Sequence, residues 1–515
     1  MLKRHLKLIR WFIGIAGGVL AGLWIAILML SNTNLLRQKL IEALNEKLDA
    51  EVELANFEVK TFPLLRIHGD GLKLRLKGQT NPAPFIEVRH FEVSGGLFGL
   101  LHRQRRFNAV ELDGLRITIP PRTERDREAG ARAASSTADG PVLIDLLTSK
   151  DAQLIIVPKD PLKEPRVFAI HDLALESVGF NRTMPFRATL TNPLPKGEIA
   201  TTGTFGPWVK GDPGLTPLGG KYSFVHANLD TIKGIGGILN SLGEFGGHLA
   251  EIDVHGNTTT PDFTIDLGGT PVPLTTTFHA VVDGTNGNTY LKQVDAKLAE
   301  TAISAAGEIE SRPGVKGRTV RLELKIVEGR IQDILKLAVR AKNPVMIGRI
   351  ALQALLLLPP GHDKVIDRLQ LTGRFAIENA QFTDKGVQGK LAELSRRAQG
   401  KKPDEPIGKI VSDMRGRFVL KKGTIRFEPL GFSLPGADIE VTGVYGMKSQ
   451  ALDFTGTVAM DATISKAAGG GIKGFFLKAV DPIFRKRGKG AIIPIAITGP
   501  REQPKFGVQW KKVFK

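Results

Sequence analysis

The chain has 515 residues and a formal charge of +19, because 71 Lys and Arg stand against 52 Asp and Glu. Hydrophobic residues make up 42% and charged residues 24%, ordinary values for globular proteins that argue against a disordered chain or a polytopic membrane protein. The 58 glycines and 30 prolines favour many strands and turns, and the absence of cysteine excludes disulfides, thiol nucleophiles and thiolate metal sites.

An uncharged apolar segment, Trp11–Leu30, is the first feature along the chain. At 1.5 Å per residue its length matches a hydrocarbon layer of about 30 Å. The basic residues before it, which include Lys3 and Arg10, predict that the N-terminus stays in the cytoplasm and that the rest of the chain crosses the membrane. A cleaved signal peptide is the alternative, but residues 28–32 offer no small-x-small cleavage site. We therefore expect residues 1–31 to form a basic tail and a single transmembrane anchor.

The positive charge of the body permits three interpretations. Nucleic-acid binding would require aromatic residues for base stacking, but the chain has only three Tyr and four Trp, and the anchor directs the body away from the cytoplasm. We expect no nucleic-acid partner. The remaining interpretations are a surface that faces anionic membranes and a basic exterior that is simply solvated.

Residues 32–122 are predicted to form an amphipathic helix followed by the first strands. Leu36, Leu40, Leu44 and Leu48 recur at the four-residue spacing of a helix. From Glu51 onward apolar residues alternate with polar ones, which is typical of half-buried antiparallel strands. Residues 123–140 are polar, rich in small residues and without periodicity, so we interpret them as a flexible loop.

Residues 141–399 are predicted to be a β-rich central region with helical insertions. The spacing of apolar residues predicts one helix after Asp230 that reaches Leu242, a second over 331–339 and a third over 386–397. A polar linker, 400–407, then precedes C-terminal β repeats over 408–515. The pattern apolar-x-apolar-Thr-Gly occurs with glycines at 373, 443, 456 and 499, the last three within 408–515, and we expect a strand to end at each Thr-Gly.

The segment 472–489 mixes aromatic and basic side chains. It could insert rings at a membrane interface while its cations meet anionic head groups, or it could be a packing helix at the end of a sheet. The residues predicted to contact the membrane surface are Phe475, Phe476, Phe484, Arg485, Lys486 and Arg487.

Motifs for catalysis and cofactors are missing from the sequence. It has no HExxH pair, no G-x-S-x-G elbow and no P-loop. Gly469, Gly471 and Gly474 match G-x-G-x-x-G, but no buried strand precedes them and no acidic residue follows at the required distance. We therefore predict a protein that is not an enzyme and that has no cofactor and no metal site.

The two ends of the chain carry a set of recognisable features. At the N-terminus these are the predicted anchor, the leucine-rich helix and the stretches Glu51 to Leu76 and Val110 to Pro121. The C-terminal motifs are Gly416-Arg417-Phe418, Gly423-Thr424-Ile425-Arg426-Phe427, Leu434-Pro435-Gly436-Ala437, Leu452-Asp453-Phe454-Thr455-Gly456, Asp481-Pro482-Ile483-Phe484 and Ile493-Pro494-Ile495 to Pro500. In these features both ends of the chain resemble the AsmA-like family of diderm bacteria, the AsmA/TamB-type proteins related to bridge-like lipid transfer proteins.

This resemblance implies a mainly β fold: an elongated, curved antiparallel β-sheet groove with a few short helices, preceded by one N-terminal transmembrane helix. It also implies an anchor in the bacterial inner membrane, a body in the periplasm, phospholipids as partners, and a role in transport between the membranes and in outer-membrane integrity. The outer membrane or its assembly proteins are further expected partners.

Two functions from different classes remain open at this point. In the first, acyl chains lie along an apolar sheet face and no covalent step occurs. In the second, the chain is a structural or assembly factor for outer-membrane components, and protein fills its core. A periplasmic enzyme is a third class, but it lacks the necessary motifs. The residues predicted to line the lipid groove are Leu54, Leu72, Leu74, Leu76, Ile117, Ile439, Val441, Leu452 and Phe454.

Overall fold

The computed structural model confirms a mainly β chain with few helices. No helix among the described residues is long and apolar enough to cross a membrane. The predicted anchor at 11–30, the loop at 123–140 and the basic aromatic segment at 472–489 lie outside the described residues and stay predictions. The structure describes residues 38, 41, 50–60, 65–76, 84, 86–95, 105–119, 142–157, 165–179, 181–209, 213–284, 287–311, 317–339, 341, 343–361, 363–402, 405, 410–462, 490–501 and 503–508.

Two compact units make up the chain, and they divide within residues 232–288, where the sequence pattern indicates no boundary. Unit 1 contains residues 1–231, 239–257 and 280–288. Unit 2 contains residues 232–238, 258–279 and 289–515.

The strands up to residue 282 are mostly ten residues or longer. They are β1 (Ala50–Glu53), β2 (Asn56–Lys60), β3 (Leu65–Leu76), β4 (Ile86–Gly95), β5 (Arg105–Asp113), β6 (Arg116–Ile119), β7 (Val142–Ile156), β8 (Arg166–Val178), β9 (Met184–Pro193), β10 (Lys196–Phe205), β11 (Pro217–Asn228), β12 (Ile235–Gly236), β13 (Ile238–His248), β14 (Glu251–Ile265) and β15 (Val272–Val282).

Unit 1 departs from a purely antiparallel order at one place. β5 and β6 both pair with β4, and both pair in parallel with β7, so that Phe107 lies opposite Ile144 and Ile117 opposite Leu154. A parallel return needs a crossover of a dozen or more residues, and residues 120–141 supply that length. The expectation that the first strands all pair antiparallel is therefore wrong here. β7 to β11 then pair antiparallel in chain order.

A closed hydrophobic core lies beneath β1–β7 of unit 1. Its members include Phe107 and Ile67, which are fully buried, and Met184 at the start of β9. The alternation of apolar and polar residues along β3 and β4 produces this core, since every second side chain points to the same face of the sheet.

Unit 2 is an antiparallel ladder in which each strand from β16 to β26 pairs with the next one in sequence. Its strands are β16 (Thr289–Leu298), β17 (Thr301–Glu310), β18 (Thr319–Arg330), β19 (Met346–Leu358), β20 (Gln370–Phe382), β21 (Ser412–Lys421), β22 (Thr424–Leu434), β23 (Ala437–Gly446), β24 (Ala451–Met460), β25 (Ala491–Pro500) and β26 (Lys505–Val508).

Three helices are inserted between these strands: α1 (Ile331–Ala338), α2 (Val365–Arg368) and α3 (Lys385–Ala398). The predicted helices over 331–339 and 386–397 are thereby confirmed as α1 and α3. Asp384 caps α3 by accepting a hydrogen bond of 2.8 Å from the Val387 N–H, and Arg396 and Arg397 stand in its last turn, where cations are favoured.

Two predictions about local structure are wrong. The segment after Asp230 forms a 3₁₀ turn and then strands β12 and β13, because Gly234 and Gly237 adopt positive φ angles of 96° and 115° that a helix does not contain. The Thr-Gly pairs do not generally end strands either. The glycines at 373, 443 and 456 lie inside β20, β23 and β24, and only the glycine at 499 stands near a strand end.

Candidate functional site

The sheet of unit 2 carries apolar residues in register across eight strands, β18 to β25. Three rows cross one face of the sheet, and we call them together the apolar strip. Row 1 contains Leu322, Leu356, Leu371, Leu420, Ile425, Tyr445 and Leu452; row 2 contains Leu324, Ala354, Gly373, Phe418, Phe427, Gly443, Phe454 and Ile497; row 3 contains Ile326, Leu352, Phe375, Gly416, Leu430, Val441, Gly456 and Ile495.

The opposite face of the same strands is mostly polar, although Leu355 and Val419 are exposed on it. On β18, Arg321, Glu323 and Lys325 alternate with the leucines of rows 1 and 2. Arg374 of β20 donates a hydrogen bond of 2.9 Å from Nε to Oε1 of Gln353 on β19. The sheet of unit 2 is therefore two-sided, with water on the polar face and a continuous apolar surface on the other.

Phenylalanine and glycine are paired within the strip. Phe375 lies across from Gly416, and Phe418 lies across from Gly373. The rings of Phe375 and Phe418 have centroids 6.2 Å apart, and those of Phe427 and Phe454 are 5.9 Å apart. These four phenylalanines, which we call the aromatic floor, form a chain of ring contacts because Phe375 also lies 6.3 Å from Phe427.

Helices α1 and α3 cover the strip at one end of the strands. Ile331 of α1 packs with Ile350 and Ile377 in one buried cluster. Ala398 of α3 packs with Leu434 and Val458 in another. Most residues of rows 1 to 3 keep part of their surface exposed, whereas the residues beneath the helices are buried. The strip is thus left uncovered within the part of unit 2 that the structure describes, except at the helical end.

The nine predicted groove residues fall into two different environments. Leu54, Leu72 and Leu74 belong to the closed core of unit 1, where Leu74 is 0% exposed, and Ile117 packs against that core. The backbone of Leu76 pairs with Ala50, and its side chain lies outside the described part.

The other four predicted groove residues lie on the apolar face of unit 2. Leu452, Phe454 and Val441 belong to rows 1, 2 and 3. Ile439 lies one step further along β23, in the cluster that α3 covers. The predicted membrane-contact residues Phe475, Phe476, Phe484, Arg485, Lys486 and Arg487 are outside the described residues.

Sequence reasoning missed Phe375, Phe418 and Phe427 as members of the strip. The repeated tripeptide Gly-Arg-Phe at 373–375 and 416–418 contains the signal, since its first and third residues point to one face and the arginine to the other. The antiparallel pairing of the two copies sets each phenylalanine opposite the glycine of its neighbour.

Unit 1 contains a polar cavity of about 750 Å³ where its strands are interrupted. Gly114 separates β5 from β6 at a φ of 64°, and Asp151 of β7 has a φ of 51°. The cations that line the cavity are paired: Arg89 Nη2 lies 3.7 Å from Asp151 Oδ2, and Arg116 Nη1 lies 3.6 Å from Glu87 Oε2. These are ordinary surface ion pairs, which contribute little to stability.

Beside this cavity, His90 Nδ1 lies 2.7 Å from Asp70 Oδ1. The hydrogen bond from His90, followed by that from Asn56, holds the pKa of the Asp70 carboxyl below its ordinary value. A carboxylate stabilised in this way is a poor general base, because its proton affinity is lowered.

Comparisons of the chain with family models, with curated proteins and with solved structures found no match.

Proposed function

We propose that this chain is an inner-membrane-anchored periplasmic protein that guides phospholipid acyl chains along the apolar strip and thereby supports the integrity of the outer membrane. The observation that carries the proposal is the strip itself: three apolar rows in register, one across seven strands and two across eight, mostly part-exposed, on a sheet whose other face is mostly polar. Contiguous exposed apolar surfaces of this size mark binding sites in soluble bodies.

The strip is long enough to serve as a path along which a lipid moves. Eight strands at a spacing of about 4.8 Å give a length of roughly 34 Å from the first strand to the last. Each methylene group that leaves water for this surface contributes about 0.8 kcal/mol. An acyl chain on the strip is therefore held by many weak contacts, and it moves along the rows without a covalent step.

The aromatic floor supports such movement. Phe375, Phe418, Phe427 and Phe454 form a continuous run of rings whose neighbouring planes are inclined by 35° to 80°, and the glycines opposite them add no side chain. A run of similar apolar contacts offers many positions of similar energy, which favours sliding over tight binding at one place. The predicted anchor at 11–30 and the resemblance of both chain ends to AsmA-like proteins agree with this function.

A structural or assembly factor remains the second candidate, and one observation favours it. The core under β1–β7 is filled by protein, with Leu54, Leu72 and Leu74 buried among its side chains. If protein also covers the strip of unit 2 in the cell, the chain has a filled core throughout and no path for lipid.

A photo-crosslinking experiment tests the proposal. A benzophenone-bearing phenylalanine analogue replaces Phe418 in the full chain in cells, with Arg417 on the opposite face as the matched position. We expect phospholipid to be captured at position 418 and not at 417. Capture of a protein at 418, without lipid, would contradict the conduit and support the assembly factor.

A third position, Leu74, serves as a control for packing. Because Leu74 is fully buried in unit 1, we expect no lipid there even if the conduit exists. Capture at 74 as efficient as at 418 would indicate nonspecific insertion of the protein into membranes.

A further inference from the structure

The two ends of the apolar strip differ in how they are closed. At one end of the strands α1 and α3 lie over the sheet, and Ile331, Ala398 and Ile377 are buried there at 7%, 0% and 5% exposure. Hydrocarbon can approach this end, but a hydrated head group would have to displace packed apolar side chains.

Four turns that connect β19 to β26 lie at the other end of the strands, and we call them together the α2 edge. They are 359–369 with α2, 422–423, 447–450 and 501–504. Neighbouring turns are joined directly: the Met447 N–H donates to the Gly423 carbonyl at 2.9 Å, and the Arg501 N–H donates to the Gln450 carbonyl at 2.9 Å. Lys448 Nζ lies 2.5 Å from Asp367 Oδ1, which joins α2 to the third turn.

Each turn of the α2 edge carries a cation. In the sequence of these turns the basic residues are Lys364, Arg368, Lys422, Lys448 and Arg501 and the acidic ones are Asp363, Asp367 and Glu502, of which Glu502 lies outside the described residues. Arg368 donates to backbone carbonyls and Lys448 pairs with Asp367. Within the described residues Lys364, Lys422 and Arg501 form no ion pair, and all three are exposed.

We propose that the α2 edge holds the head group of a phospholipid with net negative charge, while its acyl chains lie on the apolar strip and point toward α1 and α3. This inference rests on the proposed function and adds the class of lipid and its orientation. Row 1 borders this edge, and the apolar surface ends there. A lipid whose acyl chains lie on the strip therefore has its phosphate next to the exposed ammonium and guanidinium groups of the edge.

Charge reversal tests the class of lipid. The full chain with Lys364→Glu, Lys422→Glu and Arg501→Glu is compared with a matched control, Lys336→Glu, Lys385→Glu and Lys390→Glu, which makes the same change of charge at exposed positions of α1 and α3. Each protein is loaded from vesicles of equal parts phosphatidylglycerol and phosphatidylethanolamine, and the bound lipids are quantified by mass spectrometry. We expect the bound ratio of the anionic to the zwitterionic lipid to fall about tenfold in the α2-edge variant and to stay unchanged in the control.

Orientation is tested separately, and the chain is suited to this because it has no cysteine. A fluorophore is attached through Lys422→Cys or, in a second protein, through Lys385→Cys. Phosphatidylglycerol with a nitroxide on its head group should quench the fluorophore at 422 at least threefold more than the one at 385. Equal quenching, or stronger quenching at 385, would overturn the inference.

The outcomes separate this inference from the proposed function. Bound lipid whose composition does not respond to charge reversal overturns the inference and leaves the conduit standing. A wild-type chain that retains no lipid overturns both. If the α2-edge variant no longer adsorbs to vesicles but the composition of its bound lipid is unchanged, the inference is overturned. The α2 edge would then bind the surface of a membrane instead of a single lipid head group.

Discussion

Phe454 lies directly across from Gly443, and its Cδ1 is 2.8 Å from the point that a Cβ on residue 443 would occupy. The same relationship joins Phe418 to Gly373, at 3.0 Å, and Phe375 to Gly416, at 3.2 Å. In each pair the ring rests on glycine backbone of the neighbouring strand, an arrangement in which an aromatic side chain covers a glycine that would otherwise weaken the sheet. The aromatic floor therefore depends on its glycines as much as on its rings.

We predict that Gly443→Ala lowers the free energy of unfolding of unit 2 by about 1–3 kcal/mol, because the new methyl group would meet the Asp453 carbonyl oxygen at 2.2 Å and Phe454 Cα at 2.6 Å as well as the ring. The midpoint of urea unfolding, followed by fluorescence and by circular dichroism, measures the change.

Gly389→Ala is the control for this substitution. Gly389 lies on an exposed face of α3, and nothing stands within 4 Å of its Cβ position, so the change should be neutral or should stabilise by up to about 1 kcal/mol through helix propensity. Equal effects of the two substitutions would show that Phe454 does not rest on residue 443.

A buried carboxylate attaches α1 to the sheet. Asp333 is 2% exposed, and its Oδ2 accepts hydrogen bonds from Thr301 Oγ1 at 2.9 Å and from the Glu300 N–H at 3.2 Å. We predict that Asp333→Ala destabilises the attachment of α1 by about 1–3 kcal/mol, since the buried Thr301 hydroxyl and the part-buried Glu300 N–H lose their acceptor. Hydrogen exchange of the α1 amides should accelerate, whereas Lys336→Ala, an exposed change in the same helix, should leave it unaltered. Unchanged exchange in the Asp333 variant would mean that apolar packing alone holds the helix.

The sequence pattern predicted the β class, the period-two strands and helices α1 and α3, because these depend on local alternation and capping. It did not predict the closed core at Leu74 or the open strip at Phe418. Both residues belong to strands of similar pattern, and only the tertiary arrangement decides whether protein covers them. The prediction that strands end at the Thr-Gly pairs was wrong for a related reason. A glycine in a sequence usually indicates a turn, and only the structure shows that a ring of the neighbouring strand covers it, as Phe454 covers Gly443.

Asp70 should contribute to the loss of folding stability at acidic pH. Its pKa is lowered in the folded protein, chiefly by the hydrogen bond from His90, so the stabilisation exists above the ordinary pKa of an aspartate and is lost as the pH falls through the lower folded value. We predict a flatter dependence of the unfolding midpoint on pH between about pH 5 and pH 2.5 in Asp70→Asn than in the wild type. The effect should be small, because the pair is exposed, and should diminish at high salt. His90→Asn should flatten the curve similarly, and an unchanged slope in both variants would contradict the prediction.

Leu74 and Leu322 offer a matched test of the closed core against the open strip, since both are strand leucines on apolar faces. Leu74 is 0% exposed in unit 1, whereas Leu322 of row 1 keeps part of its surface exposed in unit 2. We predict that Leu74→Ala costs about 3 kcal/mol of unfolding free energy and that Leu322→Ala costs about 1 kcal/mol, because only the first substitution leaves a buried cavity. Lipid retention should change in the opposite order, falling for Leu322→Ala and remaining unchanged for Leu74→Ala in protein that is still folded. If Leu322→Ala were as destabilising as Leu74→Ala and without effect on bound lipid, the strip would be a protein-filled core, and the assembly factor would become the better account of this chain.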